Sequence, residues 1–243
     1  MRHLHIFRSG GRERPLKYVP GLVFLLLPLL VISQVVINDR LPARQAVAQS
    51  LPRPAHPDML DLAAFGDNTA LSKYLMLWLQ AFDNQPGVSI PFSQLDYDRL
   101  RDWLQVILGL DPRAHYPLLS ASRIYTEVPD PDKKRIMLSF VEEQFMQQPR
   151  QRWPWMAHAV YVAKHQLQDL DLALKLARKI REHVPSGEAP AWARQMEIYV
   201  LEDMDQIESA MVLMGGLLES GQIRDENELH YLKYKLEKLK ESN

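Results

Sequence analysis

From residue 58 onward, apolar residues recur three and four apart, the period of a helix that buries one face. Leu71, Leu75, Trp78, Leu79 and Phe82 form one such stripe, and Leu100, Trp103, Leu104 and Ile107 form the next. Met137, Phe140, Val141 and Phe145 follow. Leu170, Ala173, Ala177, Ile180 and Val184 come after them, and Ile207, Ala210, Met211, Met214 and Leu218 later still. Asp67, Asn68 or Thr69, then Ser93, Asp130 and Asp169, each stand just before a stripe, where a short side-chain oxygen caps a helix start. The last stripe, Leu229, Leu232, Leu236 and Leu239, lies on an otherwise charged helix, which suits a cap over the final apolar face of a stack. A short coiled coil with a partner is the rival reading of that helix.

Three copies of Pro-x4-Pro divide these stripes: Pro112 to Pro117, Pro149 to Pro154 and Pro185 to Pro190, spaced by 37 and then 36 residues. Proline ends one helix for want of an N–H and suits the first turn of the next. Each copy therefore reads as stop, loop and start, with about 31 residues between copies, room for two helices. Leu118, Trp155 and Trp192 fall 37 residues apart, so the same core position is expected to recur. The expected fold is all-α, a solenoid of stacked antiparallel helix pairs over 58–243 closed by a C-terminal capping helix.

The stretch Trp153–Pro185 resembles a tetratricopeptide repeat. It has an aromatic near the helix start, small residues inside the first helix, an aspartate at the turn, Ala173 early in the second helix and a terminal proline. The resemblance extends over 112–221 in weaker form, with a period of 36 to 37 and Met137 where Ala173 stands in the better copy. It implies a non-catalytic scaffold that binds peptides or partner proteins in a groove. Some bacterial members of the family hang from one N-terminal transmembrane helix and assist envelope-protein assembly. The resemblance therefore implies another cell-envelope protein as the partner here.

The N-terminal pattern differs. Residues 19–37 carry no charge and only Ser33 and Gln34 as polar side chains, so a transmembrane helix is expected there, with Pro28 as a kink. A basic tail, 1–18, holds Arg2, Arg8, Arg12, Arg14 and Lys17 against Glu13, which puts the N-terminus in the cytoplasm. The expected location is the inner membrane, single-pass, with the bilayer contacted by 19–37 and the helical domain in the periplasm. A signal peptide cleaved near Ala46-Val47-Ala48 is the competing reading. Residues 38–57, with four prolines and no periodicity, read as a linker.

Composition changes little. Hydrophobic content of 47% and charge of 24% suit a globular body. Without cysteine there is no disulfide framework, thiolate nucleophile or cysteine metal site. The residues after 38 carry 24 basic and 29 acidic side chains, a poor match for nucleic acid. No phosphate loop, G-x-S-x-G or H-E-x-x-H occurs, so no enzyme activity, cofactor or small-molecule substrate is expected. His158 and His165 lie two turns apart, too far to share a metal ion. Lys175, Arg178, Lys179 and Arg181 read as a charged solvent face, and Gly215-Gly216 as a close approach by the cap. The candidate partner-binding residues are Arg123, Arg152, Trp153, His158, Tyr161, Arg194 and Glu197. Six are non-stripe or loop-adjacent positions near leading helices, and Trp153 beside Arg152 has the composition of a binding hot spot.

Overall fold

Four aspartates set the helix starts. Asp67 accepts from Ala70 N (2.9 Å), Asp96 from Arg99 N (3.1 Å), Asp130 from Asp132 N (3.0 Å) and Asp169 from Leu172 N (2.9 Å). Asp96, and not Ser93, is therefore the cap of its helix; Ser93 sits in a 3-10 turn, Phe92–Gln94. The computed structural model describes residues 20–40, 48–221, 223 and 225–242, of which 38–40, 57 and 242 are described by backbone only. It comprises two compact units, residues 1–47 and 48–243.

The first unit holds helix α1 (Gly21–Arg40), with Pro28 inside it and its apolar side chains, Leu22 to Ile37, exposed. Among the described residues no helix is long and apolar enough to cross a membrane, which corrects the transmembrane helix expected over 19–37. The helix begins at Gly21 and ends in Asn38-Asp39-Arg40. Its apolar part, 21–37, rises about 25 Å, short of a hydrocarbon core of about 30 Å. The single-pass inner-membrane location and the cytoplasm-to-periplasm orientation fall with it. The basic tail and residues 41–47 lie outside the described residues.

The second unit is helical almost throughout. In order it has α2 (Pro57–Ala63), α3 (Asn68–Ala81), a two-residue hairpin β1 (Asn84–Gln85) and β2 (Val88–Ser89), and α4 (Tyr97–Leu110). The hairpin turns on Pro86-Gly87, with φ +81° at Gly87 as a type II turn requires. Next come α5 (Tyr116–Leu119), α6 (Pro131–Gln147), α7 (Pro149–Tyr161) and α8 (Leu170–His183). The unit ends with α9 (Ala191–Arg194), α10 (Met196–Asp203), α11 (Ile207–Glu219) and α12 (Glu226–Ser242). Helices pack chiefly on sequence neighbours: α3 on α4, α6 on α7, α7 on α8, α8 on α10, α10 on α11 and α11 on α12. A main core runs from Leu51 to Val200, and a smaller one gathers Ile198, Leu201, Ala210, Met214, Ile223 and Leu232.

The linker is shorter than 38–57. Gln85 Nε2 donates to Gln49 O (2.9 Å), Arg99 to Leu51 O (2.5 Å) and Trp103 Nε1 to Pro52 O (2.8 Å). Leu51 is buried, so this stretch belongs to the folded body.

The middle proline pair also departs from stop, loop and start. Pro149 opens α7 directly after α6, and Pro154 lies inside α7, which carries Trp153 within the helix. Pro149 loses nothing at the first helical position, whereas Pro154 forfeits one helical hydrogen bond. Read as a helix start, Pro117 opens only a short helix. It passes from α5 into a π turn, Ser120–Ile124, and a 3-10 turn, Tyr125–Glu127. A second π turn, Val162–Gln166, extends α7.

Candidate partner-binding groove

The buried residues of α7 are Arg152, Met156, Ala157, Ala159 and Val160, and Arg152, Met156 and Ala159 form a stripe that Ala163 of the following π turn continues. A charged residue occupies its first position, so the neighbouring phase through Trp155 looks more apolar in sequence. The same displacement occurs at α9 and α10, where Arg194, Glu197 and Leu201 face inward. Neither Trp155 nor Trp192 is thereby fully buried: Trp155 is half-buried and still packs against the core, and Trp192 is 52% exposed. Of the three positions expected to recur in the core, Leu118 alone is buried.

Three candidate binding residues are instead internal. The Arg152 guanidinium donates to Gln144 O (2.8 Å), Gln144 Oε1 (3.0 Å) and Pro112 O (3.1 Å), and burial lowers its pKa from the ordinary value. Arg194 is buried, with Nε lacking a partner. Glu197, 3% exposed, accepts from Arg178 Nε (2.9 Å) and Arg181 Nε (2.6 Å). On the charged face expected on α8, Lys175 and Arg178 are exposed and Lys179 and Arg181 are half-buried, and all four are ion-paired. Arg178 and Arg181 bind Glu197 on α10, and Lys175 and Lys179 bind Glu142 on α6.

Arg123, His158 and Tyr161 come together. With Pro154, Trp155, Ala157, Trp192 and Met196 they line an open groove of about 410 Å³, a volume in the range of ligand sites. Arg123 stands on the first π turn, and Tyr161 immediately precedes the second. Such turns are frequent at functional sites because they reset the phase of a helix face.

The aromatic walls hold one another. His158 stacks on Tyr161 with centroids 5.6 Å apart and rings 6° from parallel. Trp153, which does not line the groove, is half-buried behind Trp192 at 5.8 Å, edge on. Trp192 thus stays exposed yet fixed, and Tyr161 is 49% exposed. Burial lowers the His158 pKa, the nearby Arg123 charge lowers it further and Glu127 opposes both, so the ring is neutral at pH 7. The Trp155 indole N–H is buried without an acceptor.

Sequence reasoning missed Trp155, Trp192, Met196 and Pro154. The available signal was Pro149 as a helix start, which puts Trp153 and Trp155, two residues apart, on different sides of one helix. A second groove, about 450 Å³, lies between α3, α4 and α5 against Met76, Leu77, Ile107, Tyr116 and Pro117. Its Ser72 hydroxyl already donates to Ile107 O (2.8 Å), which leaves little to orient a ligand. Among the described residues no group of three or more histidine or acidic side chains is placed to hold a metal ion. No protein-family model, curated protein or solved structure matches the chain.

Proposed function

We propose that residues 48–243 form a non-catalytic scaffold of tetratricopeptide-like helix pairs whose groove takes a segment of another protein. The observation that carries this reading is the groove itself: two exposed aromatic rings, each pinned by another ring, beside an arginine. That composition is the one enriched in binding hot spots, and pinned rings lose little freedom on binding.

Support for the repeats comes from the turns within pairs. Gln168 and Asp205 adopt left-handed backbone, φ +54° and +58°, and lie 37 residues apart. After each, the chain N–H reaches back to close the preceding helix: Asp169 N to Ala163 O (2.9 Å) and Gln206 N to Leu201 O (2.9 Å). The two closures differ by one residue in span, six against five, but a left-handed turn recurring at the spacing seen in sequence is what a stacked repeat supplies.

A photo-crosslinking residue at position 161 or 192 tests the reading in cells. Discrete protein adducts at both positions, and none from exposed Glu182 or Glu219, are expected. Equal labelling at all four positions refutes it. A second reading, a structural subunit that associates through α1, rests on the exposed apolar side chains from Leu22 to Ile37. Removal of residues 1–47 abolishes association under that reading and leaves the groove's adducts intact under the first.

A further inference from the structure

The groove's lining holds an arginine, a histidine, a tyrosine, two tryptophans and three apolar side chains, and no carboxylate. Basic side chains on the surrounding helices are already committed. Arg135 pairs with Asp169, Lys164 with Asp203, Lys175 with Glu142 and Arg178 with Glu197. Arg123 differs: it is exposed, lines the groove, and among the described residues makes no ion pair. Glu127, one turn further on, affects the His158 charge but lies outside the lining and accepts from Gln166 Nε2 at 3.5 Å. The one formal charge in the lining is therefore positive and, among the described residues, without an ion-pair partner, so an occupant that brings a negative charge complements it.

We infer that the groove selects an internal protein segment in which an aspartate or glutamate side chain stands next to an apolar one. The carboxylate engages Arg123, and the apolar side chain lies on Trp155, Trp192 and Met196. A guanidinium grips a carboxylate through two parallel hydrogen bonds, which fixes direction as well as charge. The Trp192 ring, fixed edge-on by Trp153 from outside the groove, and Trp155 supply the apolar surface beside it. This inference rests on the scaffold reading above and names what that scaffold recognises.

The test uses the full chain and amidated twelve-residue peptide pools, each with a fixed Leu flanked by Glu, Gln or Lys. Amidation removes the terminal carboxylate, so any preference belongs to the side chain. Fluorescence anisotropy is expected to show the Glu pool bound at least about tenfold more tightly than the Gln pool, the step that a charged hydrogen bond contributes. Arg123→Gln should erase that difference, and Arg123→Glu should turn the preference toward the Lys pool. Because Arg123 is exposed, neither change disturbs the core. Glu and Gln pools bound alike, with both lost in Trp192→Ala, overturn the acidic preference and leave the scaffold reading standing. Failure of every pool to bind the folded chain overturns both.

Discussion

Arg152 carries a buried charge with no carboxylate beside it. Its acceptors are the Gln144 carbonyl and amide oxygens, at the end of α6, and the Pro112 carbonyl beyond α4. Carbonyls at a helix C-terminus carry partial negative charge, so they partly offset the guanidinium. Removing the side chain strands three acceptors and leaves a hole. Arg152→Ala should therefore cost about 3 kcal/mol, read from the urea midpoint. Arg152→Lys should recover little, because a single ammonium cannot span acceptors on two segments. Gly215 and Gly216 go the other way. A Cβ added at either meets nothing within 4 Å, so no close approach by α12 requires them. Gly216→Ala in the interior of α11 should raise stability by about 0.5–1 kcal/mol, with a matching rise in Tm. Both residues show the limit of sequence reading at this scale. A glycine pair suggests contact and an arginine suggests surface, and only packing decides.

Helix α8 is held from both sides by acidic partners. Glu142 on α6 accepts from Lys175 and Lys179, and Glu197 on α10 accepts from Arg178 and Arg181. Burial pushes the Glu142 carboxyl up, but the hydrogen bonds from Lys179 and Lys175 outweigh it and hold the pKa below its usual value. A depressed carboxyl pKa adds stability above the unfolded value of 4.5 that is lost as pH falls through the folded value. Stability should decline below about pH 4.5, and Glu142→Gln should flatten that part of the profile. Glu197 is the more deeply buried, yet its arginines reach solvent, so Glu197→Gln should cost about 2 kcal/mol, less than a fully buried pair. The stripes of α4, α6 and α8 were legible in sequence because their buried positions are apolar, Gln144 near the end of α6 excepted. The leading elements were not. Arg152, Arg194 and Glu197 sit in the buried stripe, and the apolar phase read beside them turned Trp155 and Trp192 inward. The groove was half visible for the same reason: Arg123, His158 and Tyr161 were found as polar outliers, while its tryptophans passed for core.

Across the folded body, contacts run from each helix to its sequence neighbours, so stability need not be shared evenly along it. Two apolar clusters make the division concrete. The larger runs from Leu51 through α2 to α8 and takes in Val200 of α10, and the smaller joins α10, α11 and α12 around Leu232 and Met214, both fully buried. Leu174 on α8 is partly buried and packs against both clusters. Leu232→Ala, deep in the smaller cluster, should cost about 2–4 kcal/mol and release α11 and α12 to hydrogen exchange while α3 to α8 stay protected. Leu174→Ala removes the shared side chain and should cost less, since the site is partly exposed. Its signature is different: it should separate one unfolding transition into two, with the C-terminal helices melting first in urea. A transition that stays single and merely moves to lower urea would show that backbone packing between α8 and α10 couples the clusters, and that Leu174 is only one contact among many.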